Sequence, residues 1–406
     1  MSQAAARRCR SADDILPPVP SADPARLGRI VVHRDPAAAR DAWERLEAEA
    51  AISPYQTWAW LSAWLETRGR TAGVEPFIVI AYDKEGEPLV LLPLGVRRHG
   101  FVTVGTFLGE RDSNFNLGLF RPGPQWTRAC VEKLLRGAAK AGRTPVDLFI
   151  LHNQPHQWEG LANPLALLPN QPSPSFGYKV ALMRDADQFF KATLSKDSRK
   201  KLRRKAERLA DHGAVEHRVA RTPEEARAVI RAFETQRIAR CAMLGLGTAD
   251  VPDLVAFLTR SSIVGTDNPA VELHAFHCGT QILATFGGTV LRGRFCGMII
   301  SFDPVSDLSR FSPGDLLVAA IVRAKCREGI AVFDLGIGEA RYKEAYCPEP
   351  EPLFETLLTL SPRGRLFAAV EAMRLQVKRS IKQSAWAWPT VRALRRQFGG
   401  ARPGSR

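Results

Sequence analysis

No apolar run in this chain reaches the roughly 18 residues that a membrane-spanning helix needs, so no such span is expected. The opening MSQAAARRCRSADDILPPVPSADPARLGR lacks the continuous apolar core of a secretory signal, and residues 1–28 read as a disordered lead-in. Cysteine is sparse. The 7 cysteines (Cys9, Cys130, Cys241, Cys278, Cys296, Cys326 and Cys347) form no C-x-x-C pair, so neither a zinc site nor a redox motif is indicated. Their odd number and dispersal fit a reducing cytoplasm. Acid is absent from residues 374–406, which hold nine Lys/Arg. Residues 191–208, KATLSKDSRKKLRRKAER, hold nine more against only Asp197 and Glu207. These segments, net +9 and +7, carry the whole formal charge of +15 and leave the rest of the chain near neutral. A general nucleic-acid binder would spread its charge over a face.

An apolar content of 45% and a charged content of 24% are ordinary for a globular protein, and 406 residues suit two or three domains. Two parts of the chain repeat one order of elements. Strands read at Val74–Tyr82, Leu89–Arg97 and Phe101–Leu108, then a helix near Trp126–Ala141 and a strand at Val146–Leu151. The second set is Val271–Cys278, Gln281–Val290 and Arg294–Phe302, then the helix Pro313–Glu328 and the strand Ala331–Leu335. Each is a βββαβ unit whose last strand runs parallel to its third. Helical spacing precedes both, at Pro36–Ala51 and Tyr55–Thr67, then at Ala186–His212 and Pro223–Ala239. A further strand is expected at Pro352–Leu360, and one or two basic helices broken at Pro389 follow. The expected division is a lead-in (1–28), a first unit (29–185), a second unit opened by the basic helix (186–362) and a basic amphipathic tail (363–406). The fold class is α/β (α+β), with mixed, mostly antiparallel sheets flanked by helices.

The stretch Ser309–Tyr346 carries the most chemistry. Ser312 reads as an N-cap, Pro313 as the first helical residue, Asp315 as the end of an S-x-x-D capping box and Gly329 as the C′ stop. A helix that starts just after a strand offers its free N–H groups and positive dipole end to an anion. Asp334 interrupts an apolar strand and needs a partner, for which Arg341 and Lys343 are the nearby choices. Lys343 follows Tyr342 beyond the turn Gly336-Ile337-Gly338. His274 and His277, three apart in a strand, point to opposite faces and suit no shared metal; no metal is expected. Asn114 and Asn116 fit either turn chemistry or contact with an acceptor.

Helices, three antiparallel strands, a pyrophosphate-binding helix and a parallel strand resemble the GNAT acyltransferase superfamily. Two such units in tandem resemble its FemAB-type branch. The segments SPYQTWAWLSAW (Ser53–Trp64), SKDSRKKLRRKAERLADHG (Ser195–Gly213), FDPVSDLSRFSPGDLLVAAIV (Phe302–Val322) and FDLGIGEARYKEAY (Phe333–Tyr346) are similar to the CelD-like proteins of cellulose and exopolysaccharide biosynthesis. The loop Arg310–Gly314 departs from the usual Q/R-x-x-G-x-G/A signature, having a single Gly.

The resemblance implies acyl transfer from acyl-CoA (acetyl or longer) or an acyl carrier protein to an amine or hydroxyl of a glycan precursor. It implies donor contacts at Arg310, Phe311, Ser312 and Gly314 and at the strand residues Ile300 and Ser301. Lys343 would stabilise the oxyanion, Tyr342 would protonate the leaving thiolate, Asp334 would orient an acceptor amine and Glu339 would act as base. The helix at Ser195–Arg208 is expected to dock an acidic partner such as a carrier protein, a phosphorylated carrier, RNA or anionic lipid. The tail, with Trp386 and Trp388 among its bases, fits a peripheral contact with an anionic membrane or a polysaccharide synthase, from the cytoplasmic side. A transferase using charged tRNA and a non-catalytic synthase scaffold are the competing expectations.

Overall fold

The computed structural model describes residues 25–263, 270–347 and 349–384. In the first half, β1 (Ile30–His33), α1 (Arg40–Glu49), α2 (Trp58–Trp64), β2 (Glu75–Tyr82), β3 (Pro88–His99), β4 (Val102–Phe107), α3 (Arg128–Ala141) and β5 (Leu148–Pro155) follow in order. Next come β6 (Gly177–Ala181), α4 (Ala186–Thr193) and α5 (Lys196–Ala210). The second half repeats the plan with β7 (Val215–Val219), α6 (Pro223–Met243), α7 (Val251–Ile263), β8 (Glu272–Cys278), β9 (Gln281–Leu291), β10 (Arg294–Phe302), α8 (Pro313–Arg327) and β11 (Val332–Ile337). α9 (Arg341–Tyr346), β12 (Leu353–Thr359) and α10 (Pro362–Gln383) end the described chain.

The first sheet runs β1-β2-β3-β4-β5-β12 and the second β7-β8-β9-β10-β11-β6. Only β4–β5 and β10–β11 are parallel within these runs; the other neighbours are antiparallel. Both βββαβ units therefore form as the apolar runs suggest. Each sheet takes a strand from the other half of the chain, and in the first sheet Asn170–Pro172 pairs beyond β12. β6, inside the expected first unit, pairs with β11, while β12, inside the expected second unit, pairs with β5. Where the two connections pass, Gly177 and Glu351 exchange backbone hydrogen bonds of 2.9 and 2.8 Å. Each swapped strand covers an edge that would otherwise present unpaired N–H and C=O groups. The sheets thus cross the boundary expected at 185/186.

Several expected helices are divided. Pro36–Ala39 forms a 3-10 turn before α1, and Leu65–Gly69 is a π turn after α2. The expected helix at Ala186–His212 breaks between α4 and α5, because the Ser195 hydroxyl leaves the helix to cap α5, accepting from Ser198 N at 3.2 Å. Residues 25–28, expected in the lead-in, hold to the body: Ala25 N donates to Gln125 O and Gly28 N to Tyr82 O, both at 2.8 Å.

One apolar core joins the halves. Trp43, Tyr55, Trp60, Trp64, Phe115 and Trp158 from the first pack with Phe233, Phe257, Leu273 and Cys296 from the second. Trp43 Nε1 donates to Gln56 O and Trp158 Nε1 to Ile52 O, each at 2.9 Å, while the buried Trp60 Nε1 has no partner among the described residues. Burying each such side chain contributes about 2–3 kcal/mol, so the halves are not separable at small cost. On its other face the second sheet carries α4, α5 and α8.

α10 packs on the first sheet at Val102, Val104, Leu148 and Ile150. Its start is fixed by Asp147, which accepts from Ser361 Oγ and Arg363 Nε at 2.7 Å and from Thr103 N at 2.8 Å. Gly364 sits so close to Asp147 O that a Cβ there would collide with it. This stretch of the expected basic tail is therefore a helix seated on the body. The helix break at Pro389, with Trp386 and Trp388, lies outside the described residues.

Candidate active site

The turn entering α8 begins at a short 3-10 helix, Asp307–Phe311, and passes through Ser312 in the left-handed region (φ 54°). The expected capping box does not form. In that backbone conformation the Ser312 hydroxyl makes no cap bond and instead accepts from Lys205 Nζ at 2.7 Å, while the half-exposed Asp315 lies 3.9 Å from the same ammonium. Gly329 (φ 76°) follows the helix end as expected. Gly314 rests against Ile300 and Phe302 of β10, so the helix start meets the strand that the resemblance assigns to the donor. Beside this turn lies an open cavity of about 620 Å³ lined by Lys201, Arg204, Lys205 and Arg208 of α5 and by Arg310 and Phe311. The Arg310 guanidinium lies 5.0 Å over the Phe311 ring. Of the expected donor residues, Ser301 is buried on β10 and its hydroxyl has no partner among the described residues.

The parallel strands β10 and β11 pair only from Arg294–Cys296 to Val332–Asp334 and then diverge. Asn114 of the first half enters this gap. Its Nδ2 donates to Gly297 O at 3.0 Å and to the Tyr55 hydroxyl at 2.6 Å, and its Oδ1 accepts from Ile337 N at 3.4 Å. Gly336 (φ 73°) permits the approach, since a Cβ there would strike the Asn114 carboxamide.

Asp334 takes neither expected partner. It pairs with buried Arg294, forty residues earlier on the neighbouring strand, and accepts from Gly336 N at 2.7 Å. Cys296 is the residue across the parallel register from Asp334, and Arg294, two positions before it on the same face of β10, reaches the carboxylate; Trp158 stacks 3.7 Å from its guanidinium, whereas Arg341 is exposed on α9. Lys343 is 9% exposed, and its ammonium donates to Ile337 O at 2.7 Å. Burial lowers its pKa to about 8, against the opposing pull of Asp334 and Glu339. Tyr342 is half-buried, and burial pushes its phenol to about 12, so it is a proton donor at neutral pH. Glu339 pairs with Lys382 of α10 at 3.2 Å, and its buried Oε1 has no partner among the described residues. Lys343, Asp334 and Glu339 are thus one electrostatic cluster, while Arg310 and Phe311 line the separate basic cavity.

Two further cavities meet at this junction. One, of about 540 Å³, runs along Met298, Ile299 and Ile300 of β10, past Arg240 and Cys241 of α6, to Asn114. The other, also about 540 Å³, opens where β4 and β5 diverge after pairing at Val104–Leu148 and Gly105–Phe149. It is lined by Thr106, Asn116, His152 and Asn153, is covered by α10, and reaches Ile337 and Gly338 at the end of β11. Arg111 borders both. The two cavities therefore adjoin along the segment Arg111–Asn116. Lys343 lines none of the three cavities, but the carbonyl it binds belongs to a residue that lines the last.

The last cavity holds residues that the reading above overlooked. His152 Nδ1 is bonded to Glu355 of β12, whose carboxylate is 1% exposed. Asn116 Nδ2 donates to His152 O at 3.0 Å, and its buried Oδ1 has no partner among the described residues. His274, by contrast, is a core residue stacked on His217, in a network with Glu272 and the buried Lys325; His277 is half-exposed.

Residues 196–344 match the acetyltransferase (GNAT) domain family. That span runs from the start of α5 through Lys343, so it contains the α8 turn, the diverging strands and the Lys343 loop. Among solved structures, FemX is similar at a TM-score of 0.57 and 9% identity, covering 85% of this chain and all of its own. A conserved protein of unknown function from Bacteroides thetaiotaomicron scores 0.50 at 13% identity, covering 82% of this chain and 100% of its own. A tandem GNAT protein from the clavulanic acid biosynthesis pathway scores 0.47 at 11% identity, covering 82% and 99%. At these identities the first two likenesses concern the fold, and they extend it across both halves. No curated protein matches the sequence. The second half thus carries a match to the GNAT acetyltransferase domain, and the βββαβ unit within it is repeated in the first half of the chain.

Proposed function

We propose that this protein transfers an acyl group from acyl-CoA to an amine or hydroxyl of a sugar or glycan precursor, in the assembly of cell-envelope polysaccharide. The observation that carries the reading is the cavity beside the α8 turn, where five cations face the start of a buried helix. A diphosphate and a 3′-phosphate are the chemistry such a lining recognises. From there the pantetheine arm would follow β10 past Gly314 and Ile300 into the cavity that ends at Asn114. The Lys343 ammonium, with a pKa near that of a thiol, sits behind the Ile337 carbonyl and lines neither cavity; released from that carbonyl it would polarise the thioester carbonyl and return a proton to the leaving thiolate.

Titration calorimetry with CoA and acetyl-CoA tests this. Binding is expected, and the double variant Arg204→Glu, Arg208→Glu is expected to weaken it about 100-fold, two charge-assisted contacts at roughly 1.5 kcal/mol each. No CoA binding, or binding indifferent to these charges, refutes the reading. Salt-sensitive binding of aminoacyl-tRNA in place of CoA would assign the same cations to the tRNA-dependent alternative.

The described residues contain no helix long and apolar enough to cross a membrane. Our reading adds a peripheral contact with an anionic bilayer through α10. Leu366, Val370, Met373 and Val377 form an exposed stripe at helical spacing, and α10 carries six Lys/Arg against the single acid Glu371. Cations flanking an exposed apolar stripe match anionic headgroups above acyl chains.

A further inference from the structure

We infer that His152, held by Glu355, is the general base for the acceptor, and that the cavity in the first sheet is the acceptor's binding site. The inference rests on the acyltransfer reading above and adds to it the base and the place of the second substrate.

The geometry is that of a histidine–carboxylate dyad. Glu355 projects from β12, the strand that crosses from the second half, and is buried. Its Oε2 engages His152 Nδ1, and its Oε1 lies 3.4 Å from Asn153 N. The carboxylate therefore fixes the tautomer with the proton on Nδ1 and leaves Nε2 as the accepting nitrogen. His152 is 38% exposed in its side chain and opens to the cavity, which the almost fully buried Glu355 also borders. Burial disfavours the imidazolium, but the bond to Glu355 and its charge outweigh that and raise the pKa above the ordinary 6.5. Glu371 and Lys378 of α10 also face this imidazole, the first favouring and the second opposing its charge.

Two further observations point to a polar ligand. Asn116 Oδ1 is buried at the cavity wall without a donor among the described residues, so a hydroxyl or amine of the acceptor would satisfy it. Lys378 also lines the space, beside Arg97 and Arg374 in their ion pairs with Glu110 and Glu371, and an acceptor bearing an anionic group such as a sugar phosphate would meet its counter-charge there.

In the step, the acceptor O–H or N–H proton passes to His152 Nε2 as oxygen or nitrogen bonds to the thioester carbonyl carbon. Collapse of the tetrahedral adduct breaks the C–S bond. The thiolate takes a proton from the Lys343 ammonium, and the proton on His152 returns to solvent, which reprotonates Lys343. The products are the acylated acceptor and a free thiol.

The probes are acetyl-CoA with glucosamine 6-phosphate, and acetyl-CoA with water alone, with thiol release followed by chromatography. For wild type, kcat/KM is expected to rise with pH through the His152 pKa. His152→Ala should lower it about 10²–10⁴-fold, with CoA affinity by calorimetry unchanged. Glu355→Gln, which keeps the side chain's shape, should move the rising limb to lower pH, because the imidazolium loses its counter-charge; a purely structural carboxylate would leave that limb in place. Turnover within threefold of wild type in His152→Ala overturns the inference while leaving the donor reading intact. So does a wild type that binds CoA yet consumes it with neither nucleophile. Absence of CoA binding overturns the donor reading itself.

Discussion

Replacing Lys343 by Met separates a residue kept for chemistry from one kept for stability. Its ammonium is buried and bonded to one backbone carbonyl, and burial lowers its pKa from the ordinary 10.5 to about 8. That span corresponds to about 3 kcal/mol by which the charged form is worse placed in the folded chain than in water. Methionine fills a similar volume without the charge but gives up the hydrogen bond to Ile337 O, at about 1–2 kcal/mol. Lys343→Met is therefore expected to be more stable than wild type by about 1–2 kcal/mol at pH 7, and inactive. The pH dependence has a definite sign. The folded pKa lies below the unfolded one, so between pH 8 and 10.5 the unfolded chain binds more protons and wild-type stability rises with pH. Methionine has no such slope, so its advantage should shrink and then reverse as the pH approaches 10. Equilibrium urea unfolding of both proteins from pH 7 to pH 10 measures this. A variant less stable than wild type at pH 7, or a difference that does not change with pH, would show that Lys343 is a structural group.

Asn114→Ala removes the side chain that bridges Gly297 O and Ile337 N across the diverging strands, leaving Ile337 N short of its partner and Gly297 O with the Tyr55 hydroxyl at 3.4 Å. It should cost about 2–3 kcal/mol in thermal or urea unfolding, and a loss under about 0.5 kcal/mol would mean the bridge is incidental. For α10, sedimentation with vesicles containing about one-third phosphatidylglycerol should pull down wild type and not the variant Leu366→Glu, Val370→Glu, Met373→Glu; equal sedimentation of both, or of neither, refutes the bilayer contact.

Strands that are long and apolar were legible from their residues alone. Leu89–Val96 and Gln281–Val290 are bounded by turns and have no competing helical period, and both fold where the pattern puts them. The edge strands β1, β6 and β7 were not, because each is four or five residues long and β6 and β7 mix polar with apolar positions. The exchange of β6 and β12 lay beyond reach for a different reason. Alternation reports that a segment is a strand and which face is buried, but not which sheet receives it. The Lys343 segment was found because a glycine-rich turn and a lysine follow a core strand, though it folds as the short helix α9. Its electrostatic surroundings were not, since Arg294 lies forty residues from Asp334 and Lys382 forty-three from Glu339.

One signal for the overlooked dyad was present. His152 closes the apolar run Leu148–Leu151 in LFILHNQP, and Glu355 interrupts LFETLLT, as Asp334 interrupts VFDLGI. A polar side chain inside a buried strand needs a partner, and three such interruptions in two units predict that some answer one another. The structure pairs two of them across the exchanged strand. That pairing also explains how two copies of one fold come to differ. In the second sheet the gap between the parallel strands is closed by Asn114 and Tyr55. In the first it stays open and carries the dyad. The copy that keeps the basic helix start has lost its open gap, whereas the open gap of the other copy is lined by Arg97, Arg111, Arg374, Lys378 and Lys382 with the acids Glu110 and Glu371 among them. Neither copy alone holds both a place for an acyl donor and a base for an acceptor, so the reaction proposed here requires the strand exchange that binds the halves together.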